Sequence, residues 1–141
     1  MNLESAFEGS YARVIGSGVG ITAKGQDFFE RFYDIFLSSN DEIQNKFSKT
    51  DMQKQVGVLQ KGVFQLISFY LTKSDGEYIH SIALTHRRSE YDIQPIYYDL
   101  WLDALISTVK ERDPDYEDRV GLAWRIVMTP GILYLKYHYD Q

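Results

Sequence analysis

From residue 26 to residue 139 the apolar residues recur at spacings of three and four, and nowhere do they alternate over a sustained stretch. Spacings of three and four fill one face of a helix, whereas a half-buried strand needs a period of two. The chain is therefore restricted to an all-α class, with six to eight helices and short connections. Phe28, Phe29, Phe32, Tyr33, Phe36 and Leu37 form one broad face over 26–38. Met52, Val56, Leu59, Val63, Leu66, Ile67 and Tyr70 form a second, with Gln55 on the same side. Tyr97, Leu100, Trp101, Ala104, Leu105, Thr108 and Val109 form a third, and Val120, Trp124, Val127, Gly131 and Leu135 a fourth. A shorter stripe, Leu3, Phe7, Tyr11 and Val14, reads as an opening helix over 3–15.

The boundaries follow from capping chemistry. Ser39 with Glu42, Thr50 with Gln53, and Ser74 with Glu77 have capping-box spacing, so each is expected to start a helix. Asp113 followed by Pro114 reads as the cap and first position of the last helix. Pro95 suits a first helical turn, and Pro130, inside the last helix, is expected to kink it. The glycines of GSGVGITAKG (16–25) suggest a phosphate loop, but they do not form G-x-G-x-x-G. Gln26 stands where a P-loop needs lysine, so the stretch reads as a flexible connection between helices.

Composition narrows the partners. Twenty acidic against 15 basic residues give −5, which argues against nucleic acid and anionic membrane as partners. There is no cysteine, which removes thiolate metal sites, disulfides and cysteine nucleophiles and suits a cytoplasmic location. A single domain over 1–141 is expected, with neither a signal peptide nor a membrane span.

The stretch IALTHRRSEYDIQPIYYDLW (82–101) carries the chemistry. Ile79, Ile82, Ala83 and His86 share a face, so His86 points where the apolar residues point. A buried imidazole needs a partner, either a carbonyl or hydroxyl, or a metal such as haem iron. An inward Tyr33, Gln55 and His86 thus lie on three different helices, with Phe47 at the corner between the first two.

In these residues the chain resembles the globin family, in particular single-domain bacterial globins and the globin module of flavohaemoglobins. FYDIFLSSNDEIQNKF (32–47) is similar to their second and third helices, TDMQKQVGVL (50–59) to the start of the distal helix, and IALTHRRSEYDIQP (82–95) to the proximal helix and its exit. Trp124 fits the tryptophan that often opens the last helix. The resemblance covers roughly residues 22–139. It implies a three-over-three helical sandwich around a b-type haem. His86 would ligate the iron, and Tyr33, Gln55, Leu59 and Trp101 would face a bound gas. Phe47, Ile93, Tyr98 and Arg88 would contact the haem. The activity implied is reversible binding of O2 or another diatomic gas by a monomer or homodimer. The alternatives are nitric oxide dioxygenation with a separate reductase, and gas sensing through protein partners.

Several features depart from that pattern. The loop from His86 to Pro95 is two residues longer than in flavohaemoglobins, and the segment from Phe47 to Gln55 is shorter, which leaves Val58 as an alternative to Leu59. Tyr139 stands where flavohaemoglobins place a glutamate. Other readings of the residues stay open: Tyr33 as a core phenol bonded to a carbonyl, Gln55 turned to solvent, Trp101 as core filling, and Arg87 and Arg88 as solvated. His80 and His138 read as surface residues.

Overall fold

The computed structural model describes residues 2–16 and 20–141. Among these, seven α-helices run α1 Leu3–Val14, α2 Ala23–Ser38, α3 Asp41–Lys46, α4 Met52–Thr72, α5 Glu77–His86, α6 Pro95–Arg112 and α7 Asp118–Tyr137, followed by a 3-10 turn at His138–Asp140. No strand occurs among the described residues. The fold is the three-over-three helical sandwich expected. Helices α1, α4 and α5 each pack on α7, while α2 and α7 flank α6. No described helix is long and apolar enough to cross a membrane.

All four long apolar stripes face inward as their periodicity requires, and the caps account for most boundary differences. Thr22 accepts the Gly25 N–H at 2.9 Å, so α2 begins at Ala23, ahead of the 26 expected. Ser39 does not start α3. It donates to the Phe36 carbonyl at 2.6 Å and ends α2, and Asn40 accepts from Glu42 and Ile43 instead. Asp51, not Thr50, caps α4 by accepting from Gln53 and Lys54. In both places an Asn or Asp next to the Ser or Thr takes the extended cap conformation, since its planar oxygen reaches the free N–H groups at least as well. Helix α5 starts after Gly76 with no side-chain cap, so Ser74 does not serve there. Pro95 occupies the first turn of α6 as expected, and α7 continues through Pro130 as one helix.

The expected connection at 16–25 is only partly in view, because Ser17, Gly18 and Val19 lie outside the described residues. Gly16 and Gly20 hold φ values of +95° and +83°, a region that side chains disfavour.

Helix α4 meets α7 at Gly131 through Leu66. A Cβ there would collide with Leu66 Cδ2, the tip of a flexible side chain, and stand an ordinary 3.5 Å from the Leu66 Cα, so a larger residue fits only if the Leu66 side chain turns away.

Asp113 departs from expectation most. It does not start α7, whose cap is Glu117, but ends α6 with its side chain fully buried. Its carboxylate receives Arg13 Nε at 2.6 Å, Arg13 Nη2 at 3.0 Å and the Asp115 N–H at 2.9 Å. Ser10 also donates to it, and the Ser10 oxygen in turn accepts the indole N–H of fully buried Trp124 at 2.9 Å. Around Trp124 lie Phe7, edge-on at 4.8 Å, and Phe28, stacked at 6.3 Å. Burial alone would raise the Asp113 carboxyl, but the hydrogen bonds from Arg13, Ser10 and Asp115 outweigh it and hold the pKa below 3.8.

We expect Asp113→Ala to lose about 2–3 kcal/mol in urea unfolding, because it strands Arg13 and Ser10 together. The folded pKa is depressed, so the stabilisation is complete above pH 3.8 and is lost as pH falls through the folded value. The advantage of the unsubstituted chain over Asp113→Asn should therefore stay level near neutrality and shrink in acid below 3.8.

Candidate functional site

A cleft enclosing about 1050 Å3 of empty space, part of it open to solvent, runs between α4, α5 and α6. Each helix reaches it with a face already marked by its periodicity. Helix α4 presents Gln55, Val58, Leu59, Gly62 and Leu66, and α5 presents Ile79, Ile82 and His86. Helix α6 contributes Tyr97, Tyr98 and Trp101, α2 contributes Tyr33 and Phe36, and α7 closes the cleft with Ile132 and Leu135. Phe47 and Ile93 enter from the connections after α3 and α5. Thus Tyr33, Gln55, Leu59, Trp101, His86, Phe47, Ile93 and Tyr98 are brought together as expected. Val58 lines the mouth and is half exposed, while Leu59 is buried, so both contribute and neither replaces the other.

His86 is held in one tautomer by its own helix. Thr85 spends its hydroxyl proton on the Ile82 carbonyl at 3.0 Å, and His86 Nδ1 lies 3.1 Å from the same hydroxyl oxygen. The Ile82 carbonyl also accepts from the ring. Both partners are acceptors there, so Nδ1 carries the proton and Nε2 keeps its lone pair for the cleft. Burial pushes the imidazole pKa below 6.5, against a smaller rise from the Ile82 bond. A neutral ring with a free Nε2 is the form that binds a metal.

Tyr33 is buried, and burial pushes its phenol up to about 12, with the hydrogen-bonding Gln55 side chain acting the other way. Its ring is fixed by Phe32 at 5.2 Å and Phe47 at 5.7 Å, and Trp101 packs edge-on against Phe32 at 5.7 Å. Gln55 is therefore turned to Tyr33, not to solvent. Tyr98 differs: its hydroxyl is buried with no partner among the described residues, and burial alone raises its pKa. So the cleft is an apolar slot with one neutral imidazole, one paired phenol and one unpaired phenol. That set fits a flat apolar group carrying a metal ion.

No protein-family model and no curated protein matches the chain. Among solved structures, a Pseudomonas aeruginosa PAO1 protein described as structurally highly homologous to a human hemoglobin matches with a TM-score of 0.86. It is 34% identical, over 99% of this chain and 100% of its own. The chain belongs to the globin family.

One expected contact of this globin falls elsewhere. Arg88 does not line the cleft. It pairs with Asp140 at 2.7 Å and lies over the Tyr139 ring at 4.6 Å. Its backbone N–H reaches the Tyr139 carbonyl at 2.8 Å, and the Tyr139 hydroxyl donates to Asp92. The arginine is thus spent on fastening the loop after His86 to the end of the chain. Arg87, next to it, lies 3.7 Å from Glu90. Sequence reasoning missed the roles of Thr85 and Ile82, although Ile82 stands four residues before His86, one helical turn back; Thr85, the preceding residue, carries no such signal. It also missed the bond from Tyr97 to Glu42, for which no sequence signal exists.

A buried hydroxyl without a partner costs about 1–3 kcal/mol. Tyr98→Phe is therefore expected to leave the chain without any bound group as stable as before, or more stable by about 1 kcal/mol, in urea unfolding. A loss larger than that would reveal a partner for the hydroxyl.

Proposed function

We propose that this globin binds a b-type haem through His86 and reversibly binds a diatomic gas, O2 foremost. The observation that carries the reading is the orientation of His86, a half-buried imidazole, kept neutral by desolvation, whose ring is engaged by Thr85 and Ile82 beside an apolar cleft that also holds Tyr33 and Gln55. Nε2 of His86 would hold the iron, with Phe47, Leu59, Ile93 and Tyr98 against the porphyrin. When bound, haem iron supplies a coordination position for a small gas.

The chain supplies everything else. Its largely apolar walls offer water few partners. Its proximal imidazole is oriented by a carbonyl and a hydroxyl, and among the described residues no carboxylate reaches it to increase its electron donation. Three donors stand ready: the Tyr33 hydroxyl, the Gln55 amide and the Trp101 indole N–H. With its pKa near 12, Tyr33 keeps its proton throughout the physiological range. A hydrogen bond to a polarised ligand in a dry cleft is worth about 1.5–3 kcal/mol, while CO, carrying little charge, gains less. The reading therefore includes slow O2 release with Tyr33 as the main donor, because its ring is wedged between Phe32 and Phe47.

Two measurements test this. The Soret band of the purified protein should be strong, and His86→Ala should lose most of it. Full haem retention with an unchanged ferrous spectrum would remove His86 from the iron. In stopped-flow, Tyr33→Phe should release O2 roughly 10- to 150-fold faster than the unsubstituted chain, with CO release changed far less. Unchanged O2 release would leave Tyr33 as packing alone.

A further inference from the structure

At the end of α5 remote from His86, three polar groups converge on Tyr134. The Tyr134 hydroxyl donates to Asp75 Oδ2 at 2.8 Å, and His80 Nδ1 lies 3.0 Å from that same hydroxyl oxygen. A phenol has one proton, and Asp75 takes it, so the His80 contact requires the proton on His80 Nδ1. His138 Nδ1 lies 2.9 Å from the Tyr134 backbone carbonyl, which can only accept, so His138 also carries its proton on Nδ1. One residue thus places the Nδ1 proton of both imidazoles, so that in the neutral rings both Nε2 atoms keep their lone pairs. The rings are edge to face, with centroids 5.9 Å apart, and neither histidine lines the cleft. His80 is exposed and His138 half-buried, so solvent reaches the pair.

This is how proteins prepare histidines for a metal: the ring nitrogen away from the ion is bonded to a carbonyl or to a carboxylate-backed group, which fixes the ring and its tautomer. With metal–nitrogen bonds of about 2.1 Å, two imidazoles on one tetrahedral ion have centroids roughly 5 Å apart, and a wider angle at the ion extends that towards 6 Å. The observed spacing falls in this span. We propose that His80 and His138 form a surface site for a borderline divalent transition cation, Zn2+ or Cu2+, bound through the two Nε2 atoms. Among the described residues no three His, Cys, Asp or Glu side chains converge on one ion, so water completes the coordination. The bound ion joins the first turn of α5 to the turn after α7. Nothing in this assignment depends on haem.

The test is Zn2+ titration of the purified full chain by calorimetry, with Cu2+ paramagnetic resonance as a second readout. One ion should bind per chain. His80→Ala and His138→Ala should each weaken binding by at least about 10-fold, and Tyr134→Phe by roughly 10-fold through loss of ring orientation. Cu2+ spectra should show two nitrogen ligands in the unsubstituted chain and one in either histidine variant. His80 is exposed, so its variant is expected to fold, which keeps the comparison interpretable. The site is overturned if no Zn2+ binds by about 1 mM, or if His80→Ala binds it as tightly as the unsubstituted chain.

Discussion

The contact between α4 and α7 at Gly131 sets the frame for the cleft. Leu66 leans onto a position with no side chain, and its tip fills space that a Cβ at residue 131 would need. Leu66 and, one residue beyond Gly131, Ile132 both line the cleft. The floor of the site is therefore laid by the same contact that joins the helices, and a larger residue at 131 would turn the Leu66 side chain out of its place in that floor.

A protein that keeps a large apolar cleft gives up part of its core, and the remaining core has to compensate. Here the compensation lies at the far end of the molecule. Trp124, Ser10, Asp113 and Arg13 join α7, the end of α6 and α1 through a continuous chain of hydrogen bonds around a fully buried indole. Packing there is dense and polar groups are satisfied. In the cleft the reverse holds: the Tyr98 hydroxyl is left without a partner and His86 is kept neutral by burial. The same fold thus separates the region that holds it together from the region free to bind.

Helix number, helix faces and the inward residues of the cleft were legible because they depend on period alone, and period survives any change of neighbour. Tyr33, Gln55, Leu59, His86 and Trp101 all lie where their stripes put them. Caps were less legible, since Ser39 and Asn40, or Thr50 and Asp51, are adjacent and both competent, and only the bend of the incoming chain decides between them. Asp113 was misread because its partners, Arg13 and Ser10, are about a hundred residues away, and a local pattern of Asp before Pro carries no sign of them. For a similar reason Arg88 left two readings open, contact with a bound group and a solvated surface. Next to a buried histidine an arginine can turn to the cleft or away, and Asp140 and Tyr139 decide the matter from the other end of the chain.

The fastening of the loop after His86 to residues 139 and 140 has a consequence for biosynthesis. A chain made from its N-terminus can form α1 to α4 as helices early, but α1 and α4 pack mainly on α7 and α2 on α6, so most of that packing waits for the later helices. The Arg88–Asp140 and Asp92–Tyr139 contacts close only after residues 139 and 140 have left the ribosome. Until then the segment carrying His86 lacks its anchor, and the nascent chain exposes an incomplete apolar cleft. The latch on the binding site thus closes only after all seven helices have been made, and a chain cut short before residue 139 would be a helical protein with its site unlatched.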